Sequence, residues 1–243
     1  MKRDIDSRLV AAHDLPDQQS TGYITLNSLR LSYTNPKGVP LVKIAIIDYG
    51  LGNLRSIKRG LEEVKAEAPI THKKEEITDA DAIVLPGVGA FEEAAKNLRP
   101  ISKTILDQIQ GGKPLLGICL GLQLLFTVST EGGPHKGLDV FKGKVIQLPP
   151  GVKVPHIGWN TLKIVKPDSP LFQGILDGAY VYFVHSYYGA VENSDLIVSK
   201  TYYGTEFPSA VSKNHVFATQ FHPERSGETG LRMLKNFVEY IRS

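Results

Sequence analysis

Three residue types in this 243-residue chain have the spacing for covalent chemistry. Cys119, the only cysteine, lies in Gly117-Ile118-Cys119-Leu120-Gly121, inside the apolar run PLLGICLGLQLLF. G-x-C-x-G is the thiol counterpart of the G-x-S-x-G nucleophile elbow. A tight strand-to-helix turn lifts such a side chain clear of a sheet, and flanking glycines let the turn approach neighbouring elements. The thiol then faces a helix N-terminus, whose dipole favours the thiolate. The Leu120 N–H points into the same space and can help bind an oxyanion. Against this, free cysteine is among the most buried residue types, so the spacing alone also fits a core thiol.

A partner stands at the end of the strand-like segment HVFATQ, in Gln220-Phe221-His222-Pro223-Glu224. Residues two apart in extended chain project to one side. His222 and Glu224 would therefore share a face, the carboxylate orienting the imidazole. His222 can then take a thiol proton and deliver it to a leaving amine. Taken singly, the pair also fits a surface histidine beside a surface glutamate. The third piece is Leu85-Pro86-Gly87-Val88-Gly89-Ala90, between a buried strand and a helix. Its glycines leave backbone N–H groups free to turn toward a ligand, supplying the rest of an oxyanion hole; alone, it reads as an ordinary turn.

The elements that must position these pieces follow from periodicity. VKIAIID, DAIVLPG and PLLGI are continuous apolar runs, as strands buried on both faces of a parallel sheet require. LRSIKRGLEEVKA, with Asn53 as its N-cap, FEEAAKNL and ISKTILDQIQGG, with Gly111 as a stop, are helical, as is LGLQLLFTV. A short strand is expected at PITHKK. Strand-like segments separated by turns fill the second half: GLDVFKGKVIQL, KVPHIGWNTLKIV, AYVYFVHSYYGAV, DLIVSKTYY, PSAVSK and HVFATQFHPE. The last helix, GETGLRMLKNFVEYIRS, sets Leu231, Leu234, Phe237, Val238 and Ile241 on one face. The alternation predicts a doubly wound, mostly parallel α/β sheet with helices on both faces and added antiparallel strands. Residues 1–41 read as an appendage, mostly flexible, with a marginal hairpin at YITLNSLRLSYT; the folded domain spans 42–243.

Composition sets outer limits. The chain is 42% hydrophobic and 22% charged, ordinary for a soluble globular protein. A scattered net charge of +3 gives no case for nucleic-acid binding. One cysteine, no apolar run near the ~20 residues of a membrane span and no apolar leader point to the cytoplasm. Gly50-Leu51-Gly52-Asn53-Leu54-Arg55 has Arg where the dinucleotide fingerprint needs its third glycine. There is no phosphate-binding G-x-x-x-x-G-K-[ST], and the seven histidines lack metal-ligand spacing, so neither a cofactor nor a metal is expected.

PGVG, GICLGLQLLF and QFHPE, in this order, resemble the class I (Cys-His-Glu) glutamine amidotransferases over residues 42–243. KIAIIDYGLGNLRS, VPHIGWN and YFVHSYY narrow the resemblance to the glutaminase subunits of imidazole glycerol phosphate synthases. The resemblance implies hydrolysis of the glutamine side-chain amide through a thioester at Cys119. Ammonia would pass to a separate (β/α)₈ cyclase subunit, forming imidazole glycerol phosphate and aminoimidazole carboxamide ribonucleotide in histidine biosynthesis. It further implies Cys119, His222 and Glu224 as the triad, and Gly87, Val88 and Gly89 as the oxyanion strand. Gln123, Glu131, Ser186 and Tyr187 would contact glutamine. Asn53, Trp159 and Arg225 fall in segments that face the cyclase, though a helix cap, a half-buried aromatic and a surface cation are equally good readings of them.

Family members begin just before KIAIIDYG, whereas about forty residues precede it here. Either Val42 marks an alternative initiation codon or the tail is real. Two rivals share the elbow: a thiol hydrolase of esters or peptides, and a scaffold retaining the fold without catalysis. PHIGWN and HPE weigh against the first, and the presence of all three triad residues against the second.

Overall fold

The computed structural model describes residues 41–243. The proposed N-terminal appendage and hairpin lie outside the described residues, Leu41 excepted. β1 (Val42–Ile47) leads through α1 (Leu54–Glu63) to two short strands, β2 (Ala66–Glu67) and β3 (Ile70–Thr71). Then come α2 (Lys74–Asp79), β4 (Ala82–Leu85), α3 (Phe91–Gln110), β5 (Leu115–Ile118) and α4 (Leu120–Leu124). The rest is mainly strand: β6 (Phe126–Ser129), β7 (His135–Lys136), β8 (Phe141–Gln147), β9 (His156–Thr161) and β10 (Lys163–Ile164). After β11 (Tyr180–His185), β12 (Tyr187–Val191), β13 (Ile197–Tyr202), β14 (Glu206–Lys213) and β15 (Val216–Thr219), α5 (Gly227–Arg242) closes the chain.

The main sheet runs β10-β13-β14-β15-β5-β4-β1-β2, with β3 also on β1. From β15 through β1 to β2 and β3 every pairing is parallel; from β15 through β14 and β13 to β10 every pairing is antiparallel. Alternate residues of the apolar strands feed two cores, as strands covered on both faces must. Ile44, Ile46, Leu116, Ile118 and Phe217 meet Ile57 and Leu61 of α1 and Leu234 and Phe237 of α5. Ile47, Ile83, Leu85, Leu115 and Val216 meet Ile77 of α2 and Phe91, Leu98 and Ile105 of α3. The expected doubly wound α/β sheet with added antiparallel strands is therefore present. A four-stranded sheet (β12-β8-β6-β7) and the β9–β11 ribbon complete the fold. No helix among the described residues is long and apolar enough to cross a membrane.

Several local expectations need correction. α3 is one helix of 20 residues running through Pro100, not two segments. The helix does stop at Gly111, as expected, with that residue as C-cap at φ −73°; the left-handed residue is the next one, Gly112, at φ +90°. Asn53 occupies the N-cap position of α1 but its side chain makes no cap bond. On α5, Met233 and Asn236 join the buried face, while Leu231 and Ile241 are half-buried. LGLQLLFTV is helical only as far as Leu124, and Phe126–Ser129 forms β6. The cause is capture of carbonyls by a distant segment. Leu138 N–H donates to Leu124 O, Val140 and Phe141 to Leu125 O, and Asp139 to Phe126 O. Those acceptors are no longer free to continue a helical ladder.

Candidate active site

The carboxyl ends of β1, β4, β5 and β15, adjacent parallel strands, gather the pieces singled out above. Ligands of open α/β sheets bind outside this edge. Cys119 follows β5 directly, at φ +54° and ψ −107°, a conformation rare for a side-chain-bearing residue. Strain of this kind, roughly 1–3 kcal/mol, persists only where surroundings enforce it. Cys119 N–H donates to Thr219 O at 2.7 Å, and Gln123 N–H to Cys119 O at 3.1 Å. A Cβ on Gly121 would overlap the Leu85 carbonyl oxygen, so the turn packs directly on the end of β4. α4 has only five residues, so the expected helix dipole is that of little more than one turn. Cys119 is 5% exposed. Its sulfur lies 3.6 Å from Val184 O, and Gln220 Nε2 donates to it at 3.6 Å.

His222 and Glu224 meet by a different route from the one expected. β15 ends at Thr219, and Glu224 sits in a 3₁₀ turn, Pro223–Arg225, so no extended chain joins the pair. His222 N–H donates to Tyr182 O at 2.9 Å, and Ser226 Oγ donates to His222 O at 2.6 Å. So anchored, His222 Nδ1 lies 2.8 Å from Glu224 Oε1. The side chains are 2% and 0% exposed, which overturns the surface alternative. Burial opposes a charge on the ring, but the Cys119 sulfur and the Glu224 carboxylate outweigh it and raise His222 to about 10. His222 Nε2 and Glu224 Oε2 are buried without a hydrogen-bond partner among the described residues. An imidazole with Nδ1 committed to a carboxylate and Nε2 uncommitted can exchange a proton with the thiol.

Three of the four expected oxyanion residues border one space beside Cys119, and Gly87 does not. Val88, Gly89, Cys119 and Leu120 line a cavity of about 200 Å³. That is below the ~300–1,000 Å³ of sites for drug-sized ligands, and suits a small metabolite. As the first residue of α4, Leu120 has no intrahelical partner for its N–H. A Cβ on Gly87 would collide with Leu120, Gly121 and the Tyr49 hydroxyl, while Gly89 adopts φ +113°. Val88 between them is 38% exposed. Tyr49 Oη donates to Pro86 O and so pins the entrance to this segment; burial pushes its hydroxyl pKa well up.

Gln123, Glu131, Ser186 and Tyr187 line the same cavity, so all four expected glutamine-contacting residues are brought together. Gln123 Nε2 is already engaged, donating to Tyr187 O at 2.8 Å and Gln220 Oε1 at 3.3 Å. Glu131 Oε2 accepts from Phe91 N–H at 3.1 Å, at the start of α3. Of the three expected interface residues, Trp159 and Arg225 come together around Tyr182. The Trp159 and Tyr182 rings are 6.0 Å apart, and the Arg225 guanidinium lies 4.3 Å from the Tyr182 ring centre. Trp159, Ile157 and Tyr180 are 55%, 59% and 61% exposed, an apolar outer face on the β9–β11 ribbon. Asn53 is half-buried at the start of α1.

Five site residues escaped the sequence reading: Tyr49, Pro155, Val184, His185 and Gln220. Gln220 had a legible cue, its place two residues before His222. The others belong to quoted segments, but nothing in their spacing sets them apart.

Residues 45–241 match the family model of class I glutamine amidotransferases. The chain is 52% identical over 201 residues to the imidazole glycerol phosphate synthase subunit HisH of Caldanaerobacter subterraneus subsp. tengcongensis, covering 82% of this chain and 98% of that protein. Against the HisH subunit of Methanocaldococcus jannaschii it is 51% identical over 198 residues, covering 82% and 100%. Among solved structures, PurLQS from Thermotoga maritima superposes with a TM-score of 0.66 at 20% identity, over 82% of this chain and 99% of that one. The fold, the matched span and the half-identity over nearly whole subunits agree: the chain belongs to the class I glutamine amidotransferases and, within them, to the HisH family of imidazole glycerol phosphate synthase subunits.

Proposed function

We propose that this chain hydrolyses L-glutamine to glutamate and ammonia at Cys119 and passes the ammonia to a cyclase subunit. The Cys119 thiolate attacks the side-chain amide carbon of glutamine. The oxyanion that forms is held by the Leu120 N–H and by N–H groups of Gly87, Val88 and Gly89. His222 gives its proton to the departing nitrogen, the C–N bond breaks, and a thioester and ammonia result. Water then attacks the thioester, His222 taking its proton, and glutamate and the thiolate are released. Glu224 keeps the imidazole in register throughout. Gln123, Glu131, Ser186 and Tyr187 hold the substrate's remaining atoms.

The observation that carries this reading is the buried His222–Glu224 pair set beside a cysteine on a strained elbow. Family membership supplies the rest: in this family ammonia goes to a separate cyclase, which makes imidazole glycerol phosphate and aminoimidazole carboxamide ribonucleotide in histidine biosynthesis. Trp159 and Arg225, on the exposed face, and Asn53 would meet that partner in a cytoplasmic heterodimer. Glutamate release should be slow for the chain alone and rise many-fold with the cyclase and its ribonucleotide. Cys119→Ala should abolish it. Full activity without the partner would overturn the coupled mechanism, and turnover of esters with none of glutamine would overturn the amidotransferase reading.

A further inference from the structure

Two histidines with no part in the proposed chemistry connect the exposed ribbon to the cavity wall. His156 and His185 are cross-strand partners on β9 and β11, 3% and 5% exposed. His156 Nδ1 is 3.1 Å from His185 Nε2, and His185 Nδ1 is 2.9 Å from Tyr187 O. At the other end, Asn160 Nδ2 lies 3.4 Å from His156 Nε2 and donates to Tyr202 O at 3.1 Å. Tyr203 stacks on the His156 ring at 3.9 Å and Phe183 at 4.8 Å, which fixes its plane.

The acceptors settle where the protons sit. A carbonyl can only accept, so His185 Nδ1 carries hydrogen. A neutral imidazole has one N–H, so His185 Nε2 is a lone pair and His156 Nδ1 must donate to it. His156 Nε2 is then the acceptor for Asn160. Both rings are neutral: burial lowers His156 to about 4 and, with the nearby His156 and His222 adding to it, His185 to about 3. The three bonds that link the rings therefore run in one direction, from Asn160, the neighbour of exposed Trp159, through His156 and His185 to Tyr187.

The Tyr187 carbonyl is where this chain meets the active site. Gln123 Nε2 donates to it at 2.8 Å from the helix that follows Cys119. With His185 it has both lone pairs filled, one from each side. The preceding carbonyl, Ser186 O, is held by Leu148 N–H at 3.0 Å. Ser186 and Tyr187 form one wall of the cavity, which His185 also lines.

We propose that His185, backed by His156, is a positioning residue: its Nδ1–H holds the Tyr187 carbonyl, and with it the Ser186–Tyr187 wall, in the orientation that binds glutamine. This rests on the glutaminase reading above. Asparagine and glutamine separate the two ring nitrogens. In His185→Asn the amide can replace Nδ1 and keep the bond to Tyr187; in His185→Gln it can replace only Nε2 and keeps the bond to His156. Both lose the aromatic ring, so damage from lost packing is common to the two.

The assay is glutamine turnover in the assembled complex with the cyclase. The KM for glutamine of His185→Gln should exceed that of His185→Asn by roughly three- to tenfold, the range one hydrogen bond supplies. Their kcat values should agree within about twofold, since the bond acts on binding. Equal KM values, or a weaker His185→Asn, overturn the proposal. A wild-type complex without glutaminase activity would instead sink the glutaminase reading, and this inference with it. Should neither variant fold, ¹⁵N spectra of the wild-type imidazoles at pH 7 decide. Nδ1–H tautomers at both histidines are expected, and an Nε2–H tautomer at either overturns the proposal.

Discussion

The backbone N–H of Cys119 donates to the carbonyl of Thr219 at 2.7 Å. This bond extends the parallel pairing of β5 and β15 one step beyond Ile118 and Thr219. It ties the cysteine elbow to the strand from which His222 emerges three residues later. Two segments about a hundred residues apart are thus held in register by backbone bonds, before any side chain contributes. The positive φ of Cys119 and the 3₁₀ turn bearing Glu224 then set the directions of the reacting groups.

Glu224 tests whether the acid does more than fill space. Glu224→Gln keeps the shape and removes the charge that helps raise His222. The imidazole loses its orienting carboxylate and part of its basicity. Glutamine turnover should fall about 10²-fold or more, the scale of general acid–base assistance. The KM for glutamine should change little, because Glu224 does not line the cavity. Steady-state kinetics of the complex check both, and an unchanged kcat would remove Glu224 from the mechanism.

Gly121 tests the packing beneath the elbow. Its missing side chain makes room for the Leu85 carbonyl at the end of β4. Gly121→Ala forces backbone against backbone, which neither partner can relieve by changing rotamer. A loss of about 3 kcal/mol or more is expected, a drop in Tm of roughly 6–12 °C. Gly111→Ala is the control, because Gly111 has φ −73° and its added Cβ meets atoms only at 3.4 Å and beyond. Thermal melts of both variants should differ widely, and similar melting points would show that the turn can move away from β4.

The parallel core was legible because VKIAII, AIVL and LLGI are apolar apart from Lys43, a pattern that burial on both faces requires. The elbow was legible because Gly117 and Gly121 bracket Cys119 at the spacing a sharp turn needs. Other features depend on residues distant in sequence. Phe126–Ser129 leaves the helix because residues 138–141 take the carbonyls of Leu124, Leu125 and Phe126, and no local propensity encodes that. His222 and Glu224 do meet, but through a 3₁₀ turn rather than the extended chain that i, i+2 spacing implies. Gln220 reaches Cys119 from 101 residues away, and Tyr49 reaches Pro86 from 37. Such contacts are products of topology, so a linear pattern names the segment without naming the residue.

The strain at Cys119 makes a prediction separate from catalysis. At φ +54° and ψ −107° any side chain is disfavoured, whereas glycine adopts this region readily. Cys119→Gly and Cys119→Ala both remove the thiol and should both be inactive. Alanine keeps the strain and glycine releases it, so the glycine variant should be the more stable by about 1 kcal/mol. Urea denaturation of the two proteins measures the difference. An alanine variant as stable as the glycine one would mean that the elbow carries no strain.

The buried imidazoles predict opposite limbs of a pH–stability profile. Burial disfavours the charged His222, yet Cys119 and Glu224 raise it to about 10 in the folded protein, against ~6.5 in the unfolded chain. Its contribution is complete below about pH 6.5 and is lost as pH rises through 10, because above 6.5 only the folded state keeps the proton. His185 and His156 are lowered, chiefly by burial, to about 3 and about 4. Their contribution is present above about pH 6.5 and is lost as pH falls through those values, because only the unfolded chain then gains protons. Urea melts at a series of pH values should show both limbs. Cys119→Ala removes the neighbouring sulfur and should shift the alkaline loss to lower pH, leaving the acid limb in place. His185→Asn should flatten the acid limb and leave the alkaline one. Superimposable alkaline limbs for wild type and Cys119→Ala would show that the sulfur does not hold the His222 proton.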